Sequence, residues 1–230
     1  MKKTGNKIFL WLIDLTINIA IIFALVIIIQ KWIIAPFDVH GQSMCDTMNF
    51  IDGECQSGIG EKIIINEALY IFNSPERGDV VVFNTEDSGD KYYIKRVIGL
   101  PGETVEIKDG KIYITTAEEE SFELEESYLN ADNKDNTKTY YSNMSVFEVP
   151  ENEYFLLGDN RKASTDSRSC FAAGTLSIDC QNSPEKAFVE VERIRGKASI
   201  VWWPLSNMRH IPGFDYTLEN QENSESLEEK

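Results

Sequence analysis

Basic charge is what this 230-residue chain has least of in proportion: 22 lysines and arginines face 38 aspartates and glutamates, a formal net charge of −16. That imbalance argues against nucleic-acid binding through a basic face. Histidine is nearly absent, with His40 and His210 the only two. Little material is therefore left for a Ser-His-Asp triad. His40 is too near in sequence to swing onto a serine of its own loop, and His210 lies in an Arg-His-Ile-Pro stretch that reads as a surface loop. Cysteine is sparse as well. Cys45, Cys55, Cys170 and Cys180 form two equally spaced pairs, too wide for a zinc knuckle. Disulfides suit a domain outside the cytoplasm better. Each local pair would close a short loop, stabilising by roughly 2–3 kcal/mol in the chain-entropy model. Four cysteines allow three connectivities, and spacing does not choose among them. No internal repeat is visible.

What is present begins with a long apolar run. Residues 1–7 carry Lys2, Lys3 and Lys7 and no acid; Ile8 to Ile34 is then almost wholly apolar, broken by Asp14, Asn18 and Gln30-Lys31. A bilayer core needs roughly 20 such residues. The run exceeds a signal-peptide core, and no small-x-small cleavage site follows in IIAPFDVHG. It reads as a retained transmembrane helix over 8–34. The lysines hold residues 1–7 in the cytoplasm and leave the rest outside. Asp14 and Asn18 fall one turn apart, as an interfacial pair or a contact with another helix.

Pro36 is expected to end the helix, and short β runs follow: Lys62–Asn66, Asp79–Phe83, Tyr92–Ile98, Thr104–Lys108, Lys111–Thr115, Phe147–Val149, Tyr154–Leu157, Phe188–Val191 and Lys197–Trp203. Asp109-Gly110 reads as a two-residue hairpin turn. Glu118 to Asn143 is acidic and weakly patterned, so 116–146 reads as a solvated annex or flexible insertion. The tail, 216–230, reads as a flexible acidic end. The expected fold is mainly β: one transmembrane helix, then an extracytoplasmic antiparallel β domain over 35–215 with a small inserted annex.

Three polar sites stand out. Lys95 lies in Tyr92–Ile98, sharing a strand face with Tyr93 and Val97. It is either an edge-strand guard against aggregation or an amine held dry and deprotonated for catalysis. Ser43 follows a flexible glycine in His40-Gly41-Gln42-Ser43-Met44; alone, it is a turn former. The dense polar stretch Gly158–Arg168 follows an apolar strand and alone reads as a capped turn.

Together these blocks decide. PFDVHGQSM beside a membrane helix, then RGDVVVF, YIKRVIGLPGE and GDNRKASTDSR resemble, in order, the bacterial type I signal peptidase family. The likeness spans roughly Ala35 to Thr115 and Phe147 to Pro204. It implies a serine–lysine pair: Ser43 as nucleophile, Lys95 as general base, Ser164 orienting the amine, Asp166 and Arg168 as a supporting pair, and Asp159 and Arg161 holding the loop. It also implies that Phe37, Val39, Met48, Tyr93 and Ile94 line shallow pockets for small side chains, with substrate extended beside the lysine strand. A free lysine, with pKa about 10.4, must be lowered to serve at neutral pH, which burial achieves. The Ser43 N–H is one oxyanion donor; Gly41 stands where part of the family offers a serine hydroxyl, so that side-chain donor is missing and the second donor stays open.

Departures from the family are local. Asp46 stands where a proline is usual, and each cysteine pair brackets an insertion flanking the cleft. Cys45–Cys55 and Cys170–Cys180 are the simplest pairings for loops at its rim. The implied function is a membrane-bound serine endopeptidase that cuts signal peptides from exported preproteins at small-x-small sites, with no metal or organic cofactor. Its partners would be those preproteins, the lipid bilayer and, further out, the secretion translocon; nucleic acid is not among them. The alternatives are a non-catalytic membrane-tethered binding module of the same fold and a Ser-Lys self-cleaving protease. The membrane helix and the absence of any DNA-binding segment oppose the self-cleaving protease, and the intact Ser43, Lys95 and Ser164 set opposes the binding module.

Overall fold

The computed structural model describes residues 2–32, 34–45, 47–140, 144–172 and 180–214. Helix α1 (Lys2–Trp32) contains Phe9–Ile27, 19 residues of mean hydropathy 2.5 with none buried against the protein. Among the described residues it is the one helix long and apolar enough to cross a membrane. Two of its polar side chains are satisfied within it: Thr16 Oγ1 donates to Leu12 O and Asn18 Nδ2 to Asp14 O, each at 2.8 Å.

The expected helix end shifts. α1 stops at Trp32, and Pro36 lies inside a strand, β1 (Ile34–His40). β1 pairs with β4 (Ile59–Asn66) and ends the order of its sheet, where a missing N–H costs no ladder bond. Between them, β2 (Phe50–Ile51) and β3 (Glu54–Cys55) form a small hairpin. After the short helix α2 (Leu69–Phe72) come β5 (Val80–Phe83), β6 (Tyr93–Gly99), β7 (Thr104–Lys108), β8 (Lys111–Thr115), β9 (Ser121–Glu123), β10 (Val146–Glu148), β11 (Glu153–Leu157), β12 (Phe188–Glu190), β13 (Ile194–Trp203) and β14 (Arg209–His210).

The larger sheet is antiparallel, in the order β1-β4-β13-β5-β6-β11-β12, with β14 beside β13. β5 explains why it is continuous. Its run of Val80, Val81, Val82 and Phe83 is buried throughout because both faces are covered. Val80 and Val82 join a core with Ile63, Ile65, Met44 and Met48, while Val81 and Phe83 join another with Val97, Leu156 and Val189. β6 lies between β5 and β11, so Lys95 is not on an edge strand. β11 pairs only as far as Leu157↔Arg96, whereas β5 pairs along Tyr93–Arg96. The backbone of Tyr93–Lys95 therefore has a strand on one side only among the described residues.

A second sheet, β10-β7-β8-β9, shows the alternation expected of strands with one buried face: Val105, Ile107, Ile112 and Ile114 point into the core. The Asp109-Gly110 turn joins Lys108 to Lys111 with both φ values positive, at 53° and 87°. A Cβ on Gly110 would lie 2.0 Å from Asp135 O, so this turn admits glycine alone.

The acidic insertion is less open than its composition implies. Leu124, Leu129, Asn133 and Thr137 are buried, and Glu126 forms an ion pair with Arg161. That pairing spans 35 positions in sequence, so local charge content could not reveal it. Residues 141–143 and the tail 216–230 lie outside the described residues.

Candidate active site

The lysine strand supplies one half of the site. Lys95 is 3% exposed, and its Nζ donates to Ser43 Oγ at 2.7 Å and to Ile94 O at 2.8 Å. Burial pulls the amine down to about 8 from an ordinary 10.5. The carboxylates of Asp166 and Asp159 pull the other way, and Arg168 adds to the lowering. Between about 8 and 10.5 the folded state binds fewer protons than the unfolded one, so stability rises with pH there. Below that window the buried charged amine costs about 3 kcal/mol, and raising the pH relieves it.

The next residue, Arg96, is fully buried. Its Nε and Nη2 grip Asp159 Oδ1 and Oδ2 at 2.9 and 2.7 Å, Nη1 donates to Gly78 O at 2.7 Å, and Tyr128 stacks on the guanidinium at 4.1 Å. Asp159 Oδ2 also accepts from Thr47 Oγ1 at 2.5 Å. One carboxylate thus joins the lysine strand to the segment that carries Ser43.

That segment is a turn without sheet or helix support. Cys45 N–H donates to Gln42 O at 3.0 Å and Met48 N–H to Met44 O at 2.8 Å. Everything else comes from distant side chains and loops. Asn49 Nδ2 donates to Gly41 O at 2.8 Å and Val39 O at 3.2 Å, and Asn49 Oδ1 accepts from Glu61 N. The carboxylate of Glu61, itself fully buried, accepts from Asn49 N at 2.9 Å and from Arg209 Nη1 and Nη2 at 2.6 and 2.8 Å. Arg209 Nη2 also donates to Thr47 O at 2.7 Å. The disulfide Cys45–Cys55, Cα atoms 5.7 Å apart, closes the same loop. Asp46 lies outside the described residues.

The loop Gly158–Arg168 folds over this turn. A Cβ on Gly158 would lie 2.5 Å from Ser43 O and 2.1 Å from Ser164 Oγ, so the close approach requires glycine. Asp159 and Arg161 each pair with a different neighbour. Asp159 pairs with Arg96, and Arg161 with Glu126, Thr137 Oγ1 at 2.7 Å and Gly158 O at 3.1 Å. Asp166 and Arg168 pair with each other through Nε–Oδ1 and Nη2–Oδ2 bonds of 2.8 and 2.7 Å. Burial raises the Asp166 carboxyl, but the charge and hydrogen bonds of Arg168 and the Gly158 N–H outweigh it and hold the group below its ordinary range. Its contribution to stability is present above the ordinary carboxylate range and lost as pH falls through the lowered value.

Ser164 departs from its expected place. Its hydroxyl is buried but does not take the Lys95 amine, whose bonds go to Ile94 O and Ser43 Oγ. It adds to the pull that lowers the Asp166 carboxyl. Its carbonyl accepts from Tyr140 Oη at 2.5 Å.

The expected pocket residues divide. Val39 and Met48 are buried core, with Phe37 and Ile94 packed against the same cluster. Tyr93 packs elsewhere, on Phe83 and on Phe171 beside the second disulfide, Cys170–Cys180, whose Cα atoms are 5.4 Å apart. Tyr93 and Phe171 also line a pocket of about 570 Å³ with Phe188, Glu153 and Glu190. Neither Ser43 nor Lys95 borders it, so it is not the cleft of this pair. The residues unassigned from sequence are Arg96, Asn49, Glu61, Arg209, Glu126 and Asn160. Apart from Asn49, their partners lie far along the chain, up to 162 positions for Arg209–Thr47.

A family model described as signal peptidase, peptidase S26, matches residues 12–203. The chain is 32% identical over 197 residues to signal peptidase I S of Bacillus subtilis (strain 168), covering 84% of this chain and 89% of that protein. It is 29% identical over 223 residues to signal peptidase IB of Staphylococcus aureus (strain N315), covering 92% and 98%. A crystal structure of a signal peptidase I from Enterococcus faecalis V583 aligns with a TM-score of 0.38 at 32% identity, over 55% of this chain and 98% of that one. With a family match across most of its length, the chain belongs to the signal peptidase family of peptidases, S26.

Proposed function

We propose that this peptidase is a membrane-anchored serine endopeptidase that removes signal peptides from exported preproteins at small-x-small sites, with Ser43 as nucleophile and Lys95 as general base. The observation that carries the proposal is the 2.7 Å contact between Lys95 Nζ and Ser43 Oγ, made by an amine whose burial lowers its pKa to about 8. The neutral amine accepts the Ser43 proton as Oγ attacks the scissile carbonyl. The Ser43 N–H steadies the oxyanion, and Lys95 returns the proton to the leaving amine. Lys95 then takes a proton from water as it attacks the acyl carbonyl, and returns it to Ser43 Oγ as the intermediate collapses and the acyl–oxygen bond breaks. Asp159, Arg161, Asp166 and Arg168 keep the two halves in register.

The substrate would extend along Tyr93–Lys95, whose outer backbone edge is open, with Phe37 and Ile94 beside it. The N-terminus would lie in the cytoplasm and the β domain outside, with the site near the bilayer. Purified full-length enzyme in detergent or lipid, given a preprotein with a small-x-small site, tests this. Ser43→Ala and Lys95→Ala should each lower kcat by on the order of 10⁴ or more. Cleavage persisting in either variant would refute the assignment.

A further inference from the structure

We infer that Asn160 is a positioning residue: it aims the Ser43 N–H at the oxyanion by holding the far end of the same peptide unit. The inference rests on the serine-peptidase reading above. A trans peptide is planar, so the carbonyl of Gln42 and the N–H of Ser43 point in opposite directions. Fixing one fixes the other. The Gln42 carbonyl accepts two bonds. One, from Cys45 N–H at 3.0 Å, closes the turn on itself and leaves it free to tilt as a unit. The other, from Asn160 Nδ2 at 3.0 Å, ties the turn to the loop that covers it.

Asn160 also grips the next peptide unit. Its own backbone N–H donates to Ser43 O at 3.0 Å. Two consecutive carbonyls, one on each side of the nucleophile's Cα, are thus held by one residue. On the upstream side Asn49 Nδ2 holds Gly41 O. Three successive carbonyls each accept a bond from another part of the chain, and the Ser43 N–H points opposite to the middle one, that of Gln42. Among the described residues it has no acceptor, which leaves it for a substrate oxygen. Gly41 brings no side-chain hydroxyl to share that role, so the direction of this one donor matters more. Glycine at 158 allows the approach, since any Cβ there would strike Ser43 O.

The test uses the full-length enzyme, Asn160→Ala and Asn160→Asp. The first removes the side-chain donor. The second keeps its size but sets a carboxylate oxygen against the Gln42 carbonyl; both keep the backbone N–H. Three quantities are compared: kcat and KM for a signal-peptide substrate, the inhibition constant of a matching peptide boronic acid, and thermal stability. With the boronate, Ser43 Oγ bonds to boron, the serine proton passes to Lys95, and boron becomes tetrahedral and anionic with an oxygen in the oxyanion position. Losing an oxyanion donor outright costs roughly 10²–10³ in kcat, so mis-aiming one is expected to cost about 10- to 100-fold. Boronate affinity should fall by the same factor, while KM and the melting temperature barely move. Unchanged boronate affinity would overturn the inference, as would a rate loss that only follows falling melting temperature in both variants. If the wild-type enzyme fails to cleave at all, the underlying functional reading fails instead.

Discussion

Lys95 and Ser43 meet at 2.7 Å but stand on opposite kinds of backbone. Lys95 rides on β6, paired with β5 from Tyr93 to Arg96 and surrounded by a core in which successive residues alternate between packed faces. Its position follows from a strand period of two. Ser43 sits on a turn with two local backbone bonds, held by a disulfide and by Asn49, Glu61, Arg209, Thr47 and Asn160. A sheet tolerates the loss of any one side chain, because its ladder is made of main chain. A turn of this kind is only as well placed as the polar groups around it. The amine is thus the fixed member of the pair and the hydroxyl the adjustable one.

The largest effect should come from breaking what joins the two halves. Arg96→Ala leaves Asp159 buried without its partner and should cost about 3–5 kcal/mol, measured by urea unfolding. It should also lower activity, because Asp159 would lose its register with Thr47. A loss below about 1 kcal/mol would mean that the strand and the turn are held together by something else.

A smaller effect isolates the turn. Replacing both Cys45 and Cys55 with alanine should lower stability by about 2–3 kcal/mol through loop entropy. It should lower kcat as well, because the loop that carries Ser43 gains freedom. The acidic limb of the pH profile should stay in place, since Lys95 remains buried in its strand. A moved limb with unchanged kcat would reverse the roles of the two halves.

The same contrast explains what could be read in advance. Strands with one covered face, such as Thr104–Lys108 and Lys111–Thr115, and the Asp109-Gly110 turn between them, are local patterns and stand where the sequence placed them. β1 was hidden because it follows the apolar helix almost at once and contains Pro36. Glu126 looked like one more solvated acid, since nothing near it signals Arg161. Arg96 was visible in YIKRVIG but had no role without Asp159, 63 positions on. The expected Ser164–Lys95 bond was a statement about direction, and direction depends on which carbonyl the amine finds first; here it is Ile94 O. Motifs named the residues, while the polar network that sets their orientation was long-range and illegible.

A buried Lys95 that serves as the base for Ser43 must leave its titration in the pH dependence of kcat/KM of the free enzyme. Activity should rise as pH climbs through about 8, where the amine loses its proton, and level off above. The limb should be unchanged when His40 and His210 are both replaced by alanine. A limb near 6.5, the ordinary histidine value, that vanishes in that double variant would contradict the account.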